Sequence, residues 1–416
     1  MMGEEQKVLT DEEIVKSTGI SDIYAAAKRL EGIVRKSPLV YSDYFSDLSG
    51  NATYLKLENL QTTGAFKLRG AYNRISMLTE EERARGVITA SAGNHAQGVA
   101  YSAQKLGVKA VICMPATTPI LKVEATRAFG ATVVLHGNGF DDAYAHSLEL
   151  QKEHGYVYIH PFNDRNVIVG QGTIALEVID ALKDVDAILV PIGGGGLASG
   201  IALGVKTVNP QVKVIGVEPE NAACMKAALS CGHTITLPSA DTVADGCAVR
   251  TAGKLTLEFC RLYLDEIITV SEMEIMSALL SLIEKHKLIA EGAGVLSLAA
   301  LSKLKLRGKK AAAIISGGNI DISTISALID KALIARGRVF CFAVQLPDKP
   351  GQLLSVSQIL AEQDANVIRL DHNQAMVTDS FKKVQLTVTC ETHDEEHIQR
   401  IIAALRRGGF IVDRVY

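Results

Sequence analysis

One segment of the chain reads Ala187-Ile188-Leu189-Val190-Pro191-Ile192-Gly193-Gly194-Gly195-Gly196-Leu197, an apolar run that ends in four glycines. The residues that follow, 197–208, are compatible with a helix. Glycines at a strand-to-helix turn let the backbone approach a ligand and point consecutive N–H groups at it. The positive end of the next helix dipole favours an anion at the same place. The segment therefore predicts a phosphate site, with a purely structural glycine turn as the alternative.

The composition is that of a globular protein with more than one domain. A chain of 416 residues predicts two or three domains, and 48% hydrophobic residues supply their cores. The net charge of −3 gives no electrostatic reason to expect nucleic acid or an anionic membrane as a partner. The seven cysteines form no CxxC pair, which is typical of reduced thiols in a cytoplasmic protein. Residues 1–13 are polar and predict no signal peptide.

Short apolar runs alternate with helix-like segments from residue 54 onward. Such alternation predicts parallel α/β architecture, and so many strands favour two α/β lobes. The predicted strands are 87–90, 108–113, 133–135, 157–159, 187–190, 214–217 and 311–315. The predicted helices include 96–106, 121–129, 166–182 and, with Ser21 as its N-cap, 21–34.

The pattern changes after residue 335, where Gly337 is typical of a helix end. Strand candidates at 338–346, 367–370, 384–390 and 411–416 are interleaved with two amphipathic helix candidates, around 353–360 and 398–405. The order βαββαβ predicts a separate ferredoxin-like domain at residues 336–416.

Lys67 lies in the segment Gly64-Ala65-Phe66-Lys67-Leu68-Arg69-Gly70. Apolar neighbours favour a desolvated amine of lowered pKa, the state of lysine that reacts with carbonyl groups. A solvated helix lysine is the alternative on spacing alone.

Two more segments place small polar residues after predicted strands. Ser91-Ala92-Gly93-Asn94-His95 begins a predicted helix, where N–H groups can bind a carboxylate. Ser316-Gly317-Gly318-Asn319 follows strand 311–315, where the serine hydroxyl can bond a heteroaromatic nitrogen. In both places helix capping is the alternative.

A different interpretation comes from the glycine segment itself. The spacing Gly193-x-Gly195-x-x-Ala198, with Glu218 at the end of the next strand, fits a loose dinucleotide-binding fingerprint. It supports a nicotinamide-dependent oxidoreductase. The mid-chain position of the motif and the four consecutive glycines weigh against this hypothesis.

Taken together, these segments closely resemble the fold-type II pyridoxal-phosphate enzymes, and within them the threonine dehydratases (threonine ammonia-lyases). The resemblance covers residues 21–335 and rests on AFKLRGA at 65–71, SAGNHAQG at 91–98, GGGGL at 193–197 and SGGN at 316–319. It implies a two-lobed, tryptophan synthase β-like catalytic region at residues 1–335, with a small lobe at about 52–163 inserted in the large lobe.

The resemblance also assigns a role to each motif. Lys67 would be the catalytic residue and would bind pyridoxal 5'-phosphate covalently. Phe66 would also bind the cofactor, with Asn94 at its ring hydroxyl and Ser316 at its pyridine nitrogen. The cofactor phosphate would lie against Gly193, Gly194, Gly195, Gly196 and Leu197. The substrate carboxylate would be bound by Ser91, Ala92, Gly93, Asn94 and His95.

The activity implied is deamination of L-threonine to 2-oxobutanoate and ammonia, and of L-serine to pyruvate, by α-proton removal and loss of the β-hydroxyl. Another fold-type II β-eliminase or a serine racemase is the runner-up. Related racemases carry a serine one position after the residue that matches Ser91, and here that position is Ala92. We therefore expect elimination without appreciable racemisation.

The resemblance further implies regulation. The βαββαβ unit resembles an ACT domain, in which Gly351 and Asn366 would lie near an amino-acid effector, for example isoleucine in isoleucine biosynthesis. ACT domains usually pair, so we expect a homo-oligomer, a dimer or tetramer. Glu218 matches a cation-binding glutamate of relatives and would bind a monovalent or divalent metal ion.

Overall fold

A computed structural model describes residues 9–373 and 383–416. The prediction that residues 1–13 are not a signal peptide falls partly on residues 1–8, which lie outside the described residues. The chain divides into two units, Met1–Ile320 and Asp321–Tyr416. No helix in the described parts is both long and apolar enough to span a membrane.

The described residues form strands and helices that are numbered here in chain order. The strands are β1 Leu39–Tyr41, β2 Ala52–Leu57, β3 Val87–Ala90, β4 Ala110–Met114, β5 Thr132–Leu135, β6 Val157–Tyr158, β7 Ala187–Pro191, β8 Lys213–Pro219, β9 Glu266–Val270, β10 Lys310–Ile315, β11 Val339–Pro347, β12 Asn366–Asn373, β13 Lys383–Glu391 and β14 Val412–Arg414. The helices are α1 Asp11–Ser17, α2 Ile20–Leu30, α3 Asp43–Ser49, α4 Lys67–Ser76, α5 Glu80–Arg85, α6 Asn94–Leu106, α7 Ile120–Arg127, α8 Phe140–His154, α9 Arg165–Ala181, α10 Gly196–Val208, α11 Cys224–Cys231, α12 Lys254–Tyr263, α13 Glu272–His286, α14 Leu296–Ala299, α15 Ile322–Ala335, α16 Gln352–Glu362 and α17 Glu395–Arg407.

The first unit contains two sheets. The larger has the order β1-β2-β10-β7-β8-β9, and all of its pairs are parallel except β1 with β2. The smaller has the order β5-β4-β3-β6 and is entirely parallel. Every residue of β7 is buried, as expected of a central parallel strand covered on both faces. The predicted pair of α/β lobes is therefore present, and the glycine segment lies at the carboxyl end of a central strand.

Some elements differ from the sequence predictions. β1, β2 and β9 were not predicted, and β2 pairs with β10 in the larger sheet. β2 therefore belongs to the larger sheet, although the predicted small lobe begins at about residue 52, and the first strand of the smaller sheet is β3, which starts at Val87. Ser21 is not the N-cap of α2. Gly19 holds that position, and the Asp22 carboxylate accepts a hydrogen bond from its N–H at 2.9 Å.

The second unit has the predicted βαββαβ order. Its antiparallel sheet runs β12-β13-β11-β14, and α16 and α17 contribute to one core with the alternate residues of β11 and β13. The division between the units differs from the predicted boundary after residue 335. α15 groups with the second unit and packs against β11.

Candidate active site

The glycine turn joins β7 to α10 and leaves almost no room for side chains. A Cβ at Gly194 would lie 2.3 Å from the Phe162 ring, and one at Gly196 would lie 2.9 Å from the Phe162 backbone. Gly195 has a φ of +95°, a conformation that favours glycine. The Thr256 hydroxyl donates to the Gly194 carbonyl at 2.6 Å and fixes the turn. The first N–H groups of a helix have no partner within it, so the start of this 13-residue helix suits a phosphate.

Lys67 begins α4, and its amine donates to the Pro161 carbonyl oxygen at 2.8 Å. Pro161 adjoins Phe162, so this contact places the lysine beside the residue that covers the glycine turn. Burial of the amine lowers the pKa of Lys67 to about 8, against smaller opposing effects of Cys247 and Glu291. A substantial part of the lysine population is therefore neutral near physiological pH, which is the form that a carbonyl-binding lysine needs.

A buried ion network anchors the helix that carries Lys67. Arg69 donates two hydrogen bonds to Glu58, both at 2.8 Å, and a third to Glu177 in α9 at 2.7 Å. Lys56 bonds the other oxygen of Glu177. Two cations thus balance two carboxylates. Arg69, two residues after Lys67, links α4 to α9 and to the residue that follows β2.

The loop 91–95 begins α6, with Gly93 as N-cap and Asn94 as the first helical residue. Asn94 donates from its Nδ2 to Glu291 Oε1 at 2.6 Å and accepts at its Oδ1 from Asn319 Nδ2 at 2.7 Å. Burial raises the pKa of Glu291 to about 7. The loop therefore lies against the second polar segment, 316–319.

His95 was expected to bind the substrate carboxylate, but in this structure its ring contacts the main chain. Its Nε2 lies 2.8 Å from the Ile159 carbonyl and its Nδ1 is buried without a partner. Burial lowers its pKa to about 3, so the ring is neutral. A neutral ring that faces a carbonyl through Nε2 must carry its proton there. We assign His95 a structural contact in this conformation.

Ser316 follows β10 and is buried. Its hydroxyl donates to the Ala293 carbonyl at 3.3 Å, and its own carbonyl accepts from the Phe66 N–H at 3.1 Å. Ala65 forms an isolated antiparallel bridge with Gly317. Ser316 and the Lys67 segment are therefore adjacent.

Leu197 is buried in the core of the larger lobe. Glu218 is the next-to-last residue of β8 and is also buried, and its oxygens accept from the N–H groups of Met225 and Lys226 at 2.8 and 2.9 Å. It caps α11 in this structure, and burial raises its pKa to about 7. Among residues 9–373 and 383–416, no three His, Cys, Asp or Glu side chains are grouped as metal ligands would be.

The predicted effector residues lie in the second unit. Gly351 precedes α16 with a φ of +91°, and the Asn366 amide donates to Glu391 at 2.7 Å. A cavity of about 510 Å³ in this unit is lined by residues that include Gln345, Ser355 and Phe410, but neither Gly351 nor Asn366 lines it.

Sequence reasoning missed Pro161, Phe162, Thr256 and Glu291. Phe162 and Pro161 follow the short strand β6, and Glu291 follows α13, so all come from segments without a motif of their own. A single apolar or acidic residue in a loop gives no signal until the fold brings it to the site.

The residues present fit a pyridoxal phosphate. The glycine turn, whose Cβ positions are filled by neighbours, lies against Phe162, and the buried Lys67 amine bonds the adjacent Pro161. The buried Ser316 bonds the Phe66 N–H through its carbonyl oxygen. The family model "Pyridoxal-phosphate dependent enzyme" matches residues 30–317.

Individual relatives agree with this match. An L-threonine ammonia-lyase of Thermotoga maritima is 47% identical over 94% of this chain and 98% of its own length. Among solved structures, a threonine deaminase from Solanum lycopersicum is similar with a TM-score of 0.74 and 41% identity, covering 78% of this chain and 90% of that one. Maize serine racemase is similar with a TM-score of 0.72 and 35% identity, covering 77% and 99%.

Proposed function

Because the chain belongs to the family of pyridoxal-phosphate dependent enzymes, we propose that it deaminates L-threonine to 2-oxobutanoate and ammonia, and L-serine to pyruvate. The observation that carries the proposal is the buried Lys67 amine, bonded to Pro161 beside the glycine turn that Phe162 covers. The near-complete match to an L-threonine ammonia-lyase supports the substrate class.

Each motif would hold a different part of the cofactor. Lys67 would bind its carbonyl carbon, and the N–H groups of the glycine turn would bind its phosphate. Asn94 would contact the ring oxygen and Ser316 the pyridine nitrogen. When bound there, pyridoxal phosphate would supply a carbonyl carbon for the substrate amino group and a ring that delocalises the electron pair left at the α-carbon.

The residues of the chain then handle the protons. Once the substrate amino group has replaced it on the cofactor, the freed and neutral Lys67 amine would take the α-proton, because burial favours the uncharged form. The β-hydroxyl would gain a proton, which the resulting Lys67 ammonium can return, and would leave as water. Hydrolysis of the released enamine would give the keto acid and ammonia. The N–H groups at the start of α6 would bind the substrate carboxylate. A neutral hydroxyl at Ser316 would keep the pyridine nitrogen unprotonated and restrain side reactions.

Regulation is the finer part of the proposal. The second unit has the ACT order βαββαβ, and we assign it the binding of a small amino acid with pairing of two copies. Coupling between quaternary states would be worth about 1–3 kcal/mol. A cytoplasmic location and a homo-oligomer belong to the same proposal.

The experiment is an assay of keto acid formation from L-threonine across substrate concentration, with and without L-isoleucine. Inhibition that high threonine relieves supports feedback control and a role in isoleucine biosynthesis. Activity indifferent to isoleucine supports a catabolic role and another effector. Absence of keto acid would refute the proposed activity.

A further inference from the structure

Four residues form a hydrogen-bonded chain through the candidate site. The Asn319 amide nitrogen donates to the Thr63 carbonyl at 2.8 Å and to Asn94 Oδ1 at 2.7 Å. The Asn94 amide nitrogen in turn donates to Glu291 Oε1 at 2.6 Å. The chain connects the loop before Lys67, segment 316–319, loop 91–95 and the loop after α13.

The direction of this chain is fixed at one end. A backbone carbonyl can only accept, so the nitrogen of Asn319 must face Thr63. That nitrogen is also the atom that faces Asn94, which therefore presents its oxygen to Asn319 and its nitrogen to Glu291. A carboxylate at Glu291 accepts there, so both ends of the chain require the same orientation of Asn94.

The surroundings leave these side chains little freedom. A Cβ at Gly64 would lie 2.3 Å from Asn319 Oδ1, and one at Gly317 would lie 2.4 Å from Glu291 Oε1. A Cβ at Gly317 would also lie 3.2 Å from the Asn94 nitrogen. The two glycines thus admit the Asn319 and Glu291 side chains in their present positions.

We propose that Asn319 and Glu291 are positioning residues that hold the Asn94 amide in one orientation, so that Asn94 donates to its ligand and does not accept from it. The inference rests on the proposed function, in which that ligand atom is the ring oxygen of pyridoxal phosphate. With Oδ1 facing Asn319 and one N–H facing Glu291, the second N–H of Asn94 is the donor that remains for the cofactor. A donor at this place stabilises the ring oxygen as an anion.

The test is the substitution Asn319→Asp, which keeps the size of the side chain and removes both donated hydrogens. Asn94 is then expected to rotate, with its nitrogen toward Asp and its oxygen toward the ligand and toward Glu291, which in that arrangement is protonated and donates, as its raised pKa allows. The visible absorption of the loaded protein should shift to the form with a protonated ring oxygen. The kcat for threonine should fall about 100-fold, the order found when one donor to an anionic oxygen is lost, with little change in KM.

Asn59→Asp is the matched control. The Asn59 amide donates to the Ile289 carbonyl at 2.9 Å, and its Cβ lies beside Gly318, so the same chemical change occurs at the same segment. The structure gives Asn59 no bond to Asn94. This variant should keep the wild-type spectrum whatever it does to thermal stability.

A double variant covers the case in which Asn319→Asp folds poorly. In Asn319→Asp with Glu291→Gln, the new amide can donate to Asn94 Oδ1, so the reversed chain is again bonded. Part of the lost Tm should return while the shifted spectrum persists.

A wild-type spectrum in both variants, or equal shifts in the Asn59→Asp control, would overturn the positioning role. Failure of the wild-type protein to bind pyridoxal phosphate would instead refute the proposed function.

Discussion

The Lys67 amine lies 2.8 Å from the Pro161 carbonyl oxygen and donates to it. This bond holds the side chain beside Phe162 and the glycine turn, in surroundings that lower its pKa to about 8 by burial. The lysine is thus placed and partly deprotonated by the protein itself.

A pH dependence of cofactor attachment follows from that pKa. A lowered pKa means that the neutral amine forms as the pH rises through about 8, and not near the ordinary lysine value of 10.5. The rate at which apoprotein gains the visible absorption of bound pyridoxal phosphate should therefore rise between about pH 7 and 9 and then level off. Stopped-flow absorbance measures it, with Lys67→Ala as the control. A rate that still climbs toward pH 10 would contradict the burial of the amine.

The Gly194→Ala substitution should weaken cofactor binding. The added Cβ would lie 2.3 Å from the Phe162 ring, which must move and disturb the turn. We expect about 5- to 150-fold weaker binding of pyridoxal phosphate, since overpacking costs about 1–3 kcal/mol. Fluorescence titration of apoprotein measures the Kd.

Two variants sharpen that test. Gly139→Ala is the control, because a Cβ there meets nothing within 4 Å and its φ is −135°. Adding Phe162→Leu to Gly194→Ala should recover part of the affinity. Equal losses in Gly194→Ala and Gly139→Ala would show that the contact with Phe162 is unimportant.

The wild-type protein should convert L-serine to pyruvate without accumulating D-serine, because Ala92 offers no hydroxyl as an acid on the second face. Ala92→Ser supplies that hydroxyl, and we expect D-serine to become detectable by chiral chromatography while pyruvate formation persists. Ala92→Gly, which adds no hydroxyl, is the control. D-serine formed by the wild type at a rate similar to pyruvate would favour the racemase alternative.

Glu58→Gln should strongly destabilise the first unit. It removes one carboxylate from the buried network and leaves Arg69 short of a charge partner, at a cost of about 3–5 kcal/mol. Denaturant unfolding of the apoprotein measures the loss. Glu124→Gln breaks the solvent-exposed pair with Arg127 and should change stability by less than about 1 kcal/mol. Similar losses in both variants would contradict the role given to burial.

The sequence predicted the elements whose pattern is strong and local. The strands at 87–90, 187–190 and 311–315 are runs of buried apolar residues and appear where expected. β1, with three residues, and β9, which begins at Glu266, carry weaker patterns and were missed. Ser21 is a favourable N-cap residue, but the Asp22 bond to the Gly19 N–H moves the helix start.

Within the site, local sequence and resemblance contributed differently. The glycine turn could be predicted from its residues, whereas the apolar neighbours of Lys67 left a solvated lysine as an alternative, and only the resemblance favoured the catalytic interpretation. Phe162 and Glu291 could not be predicted, because each reaches the site through contacts between segments far apart in the chain. The orientation of Asn94 depends on Thr63 and Asn319, which lie 256 residues apart.

The most direct test measures 2-oxobutanoate and ammonia from L-threonine, with wild-type protein and Lys67→Ala, each with and without added pyridoxal phosphate. We expect the wild type to form both products in equal amounts with the cofactor, and Lys67→Ala to form neither at a comparable rate. A wild type that binds pyridoxal phosphate yet yields no 2-oxobutanoate, or a Lys67→Ala variant with undiminished activity, would contradict the account.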